Sequence, residues 1–218
     1  MTLTSVINFC FSPDVLVQSG FWFAQLFYFF CFVPQIVANM RHKSGTGVSE
    51  LLLIGYLNAY LFLLFYIFCM DLPLAYKVLV PLQTVATLIL IIQRLYYDRS
   101  EGVKRLRIMY ALNVGVFLLA IPVALKNPYM LGAVFGWLTF TFSLFNQLPQ
   151  VFKIHRTKSV VGFSYFFVLF TGVAAVCETI VAFMAHLPLQ TCFCALRGVA
   201  LFVIFTLQFL LYRSMSRA

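Results

Sequence analysis

Charge is what this sequence has least of. Only 10% of its 218 residues are Asp, Glu, Lys or Arg, against roughly a quarter in soluble domains. Acids are the scarcer half, with six in the whole chain. No HExxH, GxSxG or P-loop pattern occurs and no carboxylates come as a pair, so an enzyme is not expected. The six cysteines lack metal-ligand spacing, and Cys192-Phe193-Cys194 is too tight for the usual CxxC redox unit. All six read as small packing residues, and neither a metal nor a cofactor is implied. Residues 1–15 have no basic stretch leading into a short apolar run with a small-residue cleavage site, so a removed signal peptide is not expected. The absence of an N-x-S/T acceptor withholds one hint of lumenal exposure.

What fills the chain is apolar surface. Hydrophobic residues make up 63%, with 26 Phe and 11 Tyr, and mean hydropathy is +0.97. A soluble domain of this size has no interior large enough for that load, so the solvent is a bilayer. A spanning helix needs ~20 apolar residues. Seven such runs can be drawn: 16–40, 48–69, 73–97, 107–125, 130–154, 162–184 and 188–212. The expected fold is an all-α integral membrane protein of seven transmembrane helices.

The net charge of +9 is distributed in turns rather than along a helix face, which argues against nucleic acid and for membrane orientation. Twelve bases fall on one side, in the turns after spans 1, 3 and 5 and at the C-terminus; Lys77 and Lys126 fall on the other. The basic side is expected in the cytosol, with the N-terminus outside or lumenal and the C-terminus cytosolic.

The chain repeats itself at a single offset of 115 residues. Pro34-Gln35 recurs as Pro149-Gln150, and Arg41, Lys43, Ser44, Gly47 and Ser49 recur as Arg156, Lys158, Ser159, Gly162 and Ser164. Trp22 maps to Trp137, Leu72-Pro73-Leu74 to Leu187-Pro188-Leu189, and Gln93 to Gln208, with no gap. Residues 16–97 and 130–212 are thus two three-helix repeats. Matched spans run the same way through the membrane, so 107–125 is an inversion linker and the architecture is a 3+1+3 parallel repeat.

Residues 32–49, FVPQIVANMRHKSGTGVS, and 147–164, QLPQVFKIHRTKSVVGFS, resemble the two PQ-loop motifs of the PQ-loop transporters. That family includes cystinosin, lysosomal cationic amino-acid exporters and, more distantly, the SWEET sugar carriers. The resemblance implies a secondary carrier working by alternating access, with Pro34, Gln35, Pro149 and Gln150 as hinges of a cytosolic gate. Each proline removes a backbone donor and clashes with the carbonyl of Phe30 or Phe145, four residues earlier. Static kinks are the blander alternative, and the Arg/Lys–x–Lys–Ser turns read as headgroup anchors followed by helix caps at Ser49 and Ser164.

Differences between the repeats are where substrate chemistry is expected. Glu178 stands where the first repeat has Leu63, and Arg197 where it has Leu82. Charges well inside a span are costly and are paired or face a cavity. The two could pair; alternatively Glu178 couples protons or binds a cation, and Arg197 binds a carboxylate, which together would suit an amino acid. Cystinosin-like carriers have an aspartate just before an F-T-G element, and here Phe170-Thr171-Gly172 has none. Glu178, about two turns on, is a candidate substitute, so proton coupling stays open. Asn58, Tyr60, Gln83 and Asn146 are further candidates for a substrate cavity, with Gln25, Asn113, Gln147 and Thr171 behind them. Phe21, Trp22 and Trp137 read as interface anchors or cavity wall. A small polar solute is the expected partner, an amino acid ahead of a sugar. A sugar uniporter of the SWEET kind, or a receptor or scaffold of the same architecture, is the alternative.

Overall fold

The computed structural model describes residues 13–45, 48–97, 110–111, 114–115, 117–119, 121–122, 125–161 and 163–212. Every described residue between 110 and 126 is helical. The remaining elements are α1 (Pro13–Phe30), α2 (Phe32–His42), α3 (Glu50–Cys69), α4 (Leu74–Tyr97), α5 (Pro128–Asn146), α6 (Leu148–Thr157), α7 (Tyr165–Met184) and α8 (Leu189–Tyr212). No strand occurs among the described residues. A helix satisfies its own backbone within the segment, which hydrocarbon demands.

Six membrane-length helices result among the described residues: Asp14–His42, Glu50–Cys69, Leu74–Tyr97, Pro128–Thr157, Tyr165–Met184 and Leu189–Tyr212. The first and fourth of these are interrupted helices, α1–α2 and α5–α6. The interruptions fall at Cys31 and Gln147, two or three residues before Pro34 and Pro149. Breaking the ladder just ahead of a proline relieves the missing donor and the ring clash.

The repeat is legible in the backbone. Among the described residues, four non-glycine positions have positive φ: Lys43, Asp71, Lys158 and His186. They form two pairs at the 115-residue offset. Lys43 and Lys158 end α2 and α6 in the left-handed conformation common at helix C-termini. Asp71 and His186 sit in the tight turns after α3 and α7. There Leu72 N donates to Ile67 O and Leu187 N to Ala182 O, both at 3.0 Å.

Packing crosses between repeats. The first helix of each lies against the second helix of the other, α1 on α7 and α5 on α3, and within repeats α8 packs on α7 and α4 on α3. Glycines allow the close approaches. A Cβ on Gly55 of α3 would press into Asn146 of α5, and one on Gly20 of α1 into Val181 of α7. Phe21, expected at the interface or cavity wall, is instead fully buried against Tyr76, with ring centroids 5.6 Å apart. Trp137 stays about half exposed.

Candidate functional site

The two repeats enclose a cavity of about 100 Å³. The 115-residue offset relates most of its walls in pairs: Tyr28 with Ser143, Cys31 with Asn146, Phe32 with Gln147. Further along come Tyr56 with Thr171, Tyr76 with Thr191 and Gln83 with Gly198. The pseudo-twofold axis therefore runs through the cavity, and in nearly every pair the first repeat supplies the bulkier group. One wall is aromatic and the other carries small hydroxyls and amides.

Of the charged pair expected from sequence, both members line the cavity. They make no ion pair within 4.0 Å. Glu178 on α7 is 8% exposed. Its Oε1 accepts from the Tyr76 hydroxyl at 2.5 Å and from Gln25 Nε2 at 3.2 Å, and the Tyr28 hydroxyl faces the same carboxylate. Gln83 Nε2 in turn donates to Gln25 Oε1 and to the Gln25 carbonyl, at 3.0 and 3.1 Å. Arg197 on α8 instead reaches α5, where its Nη1 donates to the Ser143 carbonyl at 2.5 Å; its Nε makes a long bond to Cys194 O at 3.4 Å. A carboxylate fed by neutral donors leaves the nearby guanidinium without an acid of its own among the described residues.

Tyr60, Gln83, Asn146, Gln25, Gln147 and Thr171 also line the cavity. Gln147 Nε2 donates to the Tyr56 hydroxyl at 2.9 Å, and Thr171 returns its hydroxyl to Phe167 O at 2.7 Å. Asn58 does not reach the cavity; its Nδ2 donates back to Ile54 O of its own helix at 2.9 Å. Asn113 lies outside the described residues. Tyr28, Tyr66, Tyr76, Thr139, Ser143 and Thr191 line the cavity without having been singled out from sequence. Tyr and Thr are ordinary packing residues in a bundle, so composition gave no warning. The offset does not reach them from the nominated residues either: Tyr28 and Ser143, like Tyr76 and Thr191, are each other's counterparts, and Tyr66 and Thr139 match the apolar Val181 and Ala24.

The PQ motifs are joined across the repeats. Ser164 N donates to Gln35 Oε1 at 3.1 Å, and Ser49 N donates to Gln150 Oε1 at 2.9 Å. Each glutamine therefore caps the N-terminus of the second helix in the opposite repeat, rather than serving the backbone freed by its own proline. Motif backbone is served by the third helices, with Gln93 Nε2 donating to Ile36 O at 3.2 Å and Gln208 Nε2 to Val151 O at 2.9 Å. Of the two expected serine caps, the Ser164 hydroxyl accepts from Phe167 N at 3.3 Å, while the Ser49 side chain makes no cap bond.

The PQ loop repeat model matches residues 20–76 and 131–191, more than half of the chain. This protein belongs to the PQ-loop repeat family. No curated protein matches the sequence. A solved 3.7 Å structure of a eukaryotic SWEET transporter superposes with a TM-score of 0.71, over 94% of this chain and 99% of that one, at 16% identity. That likeness establishes for this PQ-loop protein the seven-helix 3+1+3 fold. The fold is shared with that transporter, and the apolar helices make this chain an integral membrane protein.

Proposed function

We propose that this PQ-loop protein is a secondary carrier for a small solute with a carboxylate, an amino acid, moved by alternating access. The observation that carries the reading is Arg197, a cavity-lining guanidinium whose polar neighbours are carbonyls while the one acid beside it is held by Tyr76 and Gln25. A cation inside a membrane span with no acid of its own is costly, and a solute carboxylate relieves that cost. Glu178, fed by donors but excluded from bulk water, is the group for proton coupling. The PQ prolines serve as hinges and the reciprocal glutamine caps as the contacts that hold one end shut. The basic PQ ends face the cytosol.

Uptake of labelled amino acids into proteoliposomes, with and without a pH gradient, tests the proposal. Arg197→Gln is expected to lower uptake at least about tenfold, the loss of one charge-assisted contact. Glu178→Gln is expected to abolish stimulation by the gradient; unchanged pH dependence in that variant rules out its proton role. A sugar uniporter is the second reading, favoured by the SWEET-like fold and by the cavity amides of Gln83, Asn146 and Gln147. Sugar uptake that survives Arg197→Gln would decide for it.

A further inference from the structure

We infer that Thr139 and Asn146 determine specificity by reading a hydrogen-bond donor, an ammonium or a hydroxyl, on the carbon next to the solute's carboxylate. The inference rests on the reading of Arg197 as the carboxylate site and adds what the rest of the solute must carry.

Gly136, Thr139, Ser143 and Asn146 line the cavity from α5. Their three- and four-residue spacing places them on one helix face, with neighbouring side chains ~5–6 Å apart. Arg197 is anchored in the middle of this face, on the Ser143 carbonyl. Thr139 is one turn to one side and Asn146 about one turn to the other. Both are buried, at 4% and 5% exposure. The Thr139 hydroxyl oxygen and Asn146 Oδ1 have no hydrogen-bond partner among the described residues. Buried polar atoms are nearly always partnered, so two orphans flanking one guanidinium mark the place where a ligand completes the set.

The amides and the carboxylate on the far side of the cavity are already engaged. Glu178, Gln25 and Gln83 satisfy one another and Tyr76, and Gln147 is taken by Tyr56. The register on α1 that mirrors this face carries Ala24, Tyr28 and Cys31, with Tyr28 facing Glu178 and Cys31 Sγ bonded to Tyr28 O at 3.0 Å. The donor-reading face therefore exists on one side of the pseudo-twofold axis only. The cavity's size limits the solute to a short chain.

Three acids of one carbon skeleton test this: L-alanine, L-lactate and propionate, which differ in bearing an ammonium, a hydroxyl or hydrogen on the second carbon. Affinities come from thermal shift and competition on the purified full chain. Wild type is expected to hold alanine, lactate or both at least about tenfold more tightly than propionate, because a site built for a donor rejects the analogue lacking it. Thr139→Val and Asn146→Leu are each expected to shrink that gap to less than about threefold, through weaker binding of alanine and lactate. Thr139→Val preserves shape and carries the test if Asn146→Leu, beside Gly55, fails to fold. Equal affinity for all three acids in the wild type, or an unchanged ranking in both variants, overturns the inference and leaves Arg197 standing. Binding of none of them overturns the reading of Arg197 along with it.

Discussion

Gln35 and Gln150 show how far a single residue's role can lie from its own segment. Each is about 1% exposed and accepts from a backbone donor in the other repeat, at Ser164 or Ser49. The offset revealed that the two glutamines are equivalent; it could not reveal that each serves its counterpart's partner, because sequence periodicity carries no information on which copy a side chain reaches. Around them the symmetry is incomplete. Asn39 accepts from Gln35 Nε2 at 2.9 Å and donates to Gln93 Oε1 at 3.2 Å. Its counterpart is Ile154, and Gln208 Oε1, the counterpart of Gln93 Oε1, lacks a partner among the described residues. Gln35→Ala and Gln150→Ala are each expected to destabilise by about 1–3 kcal/mol, since each strands a backbone donor. Asn39→Ile, which copies the second repeat's choice into the first, is expected to cost a similar amount of about 1–3 kcal/mol by orphaning a donor and an acceptor together. Thermal unfolding midpoints in one detergent check all three; variants indistinguishable from wild type would demote these bonds to incidental contacts.

Among the helices, α5 against α3 and α1 against α7 are the cross-repeat seams, and their closeness depends on residues that look unremarkable in sequence. A Cβ at Gly55 would meet both the Cβ and the Cα of Asn146, so α3 cannot tolerate bulk there without moving α5. Gly55→Val is expected to cost about 1–3 kcal/mol through overpacking and to disturb solute binding through Asn146. Gly115, with open space around its Cβ position, is the control: Gly115→Ala in that helix is expected to be neutral or stabilising by up to about 1 kcal/mol. The same thermal measurement reads both, and equal effects at the two glycines would contradict the packing argument. Seven helices and their membrane character were legible because a 20-residue apolar run leaves few alternatives. Partner choice between helices was not, since Gly and Leu patterns in so apolar a chain fit many faces. The end of the bundle makes the same point. Glu50 and Arg94 form an ion pair at 2.8 Å in the first repeat, where the second repeat has Tyr165 and Phe209 in ring contact at 5.4 Å. One seam position is thus closed by charge in one copy and by aromatic packing in the other.

At the scale of the whole molecule, two of the pockets among the described residues follow one another from the centre to the PQ end. The central cavity reaches Leu72, Gln190 and Thr191 near the α3–α4 and α7–α8 turns. A second pocket of about 380 Å³ lies at the PQ end, lined by His42, Ser44, Gln150, Lys153 and Phe163 among others. A chain of rings separates them, Phe163 to Phe167 at 5.6 Å and Phe167 to Phe32 at 6.1 Å. On the proposed reading, this arrangement is a carrier shut at its PQ end, a property of the pair of repeats that neither copy's sequence contains. Orientation and gate can be read together by labelling with a membrane-impermeant maleimide in a cysteine-free background, in cells displaying the protein at their surface. With twelve bases on the PQ side, His186→Cys is expected to react in intact cells and Lys158→Cys only after permeabilisation; the reverse pattern would invert the assigned orientation. Restoring Cys194, which lines the cavity, then probes the gate. It is expected to react from the His186 side and to be protected from the Lys158 side by the ring stack. Phe167→Ala thins that stack and is expected to expose Cys194 from both sides; continued protection would place the barrier elsewhere, at the glutamine caps.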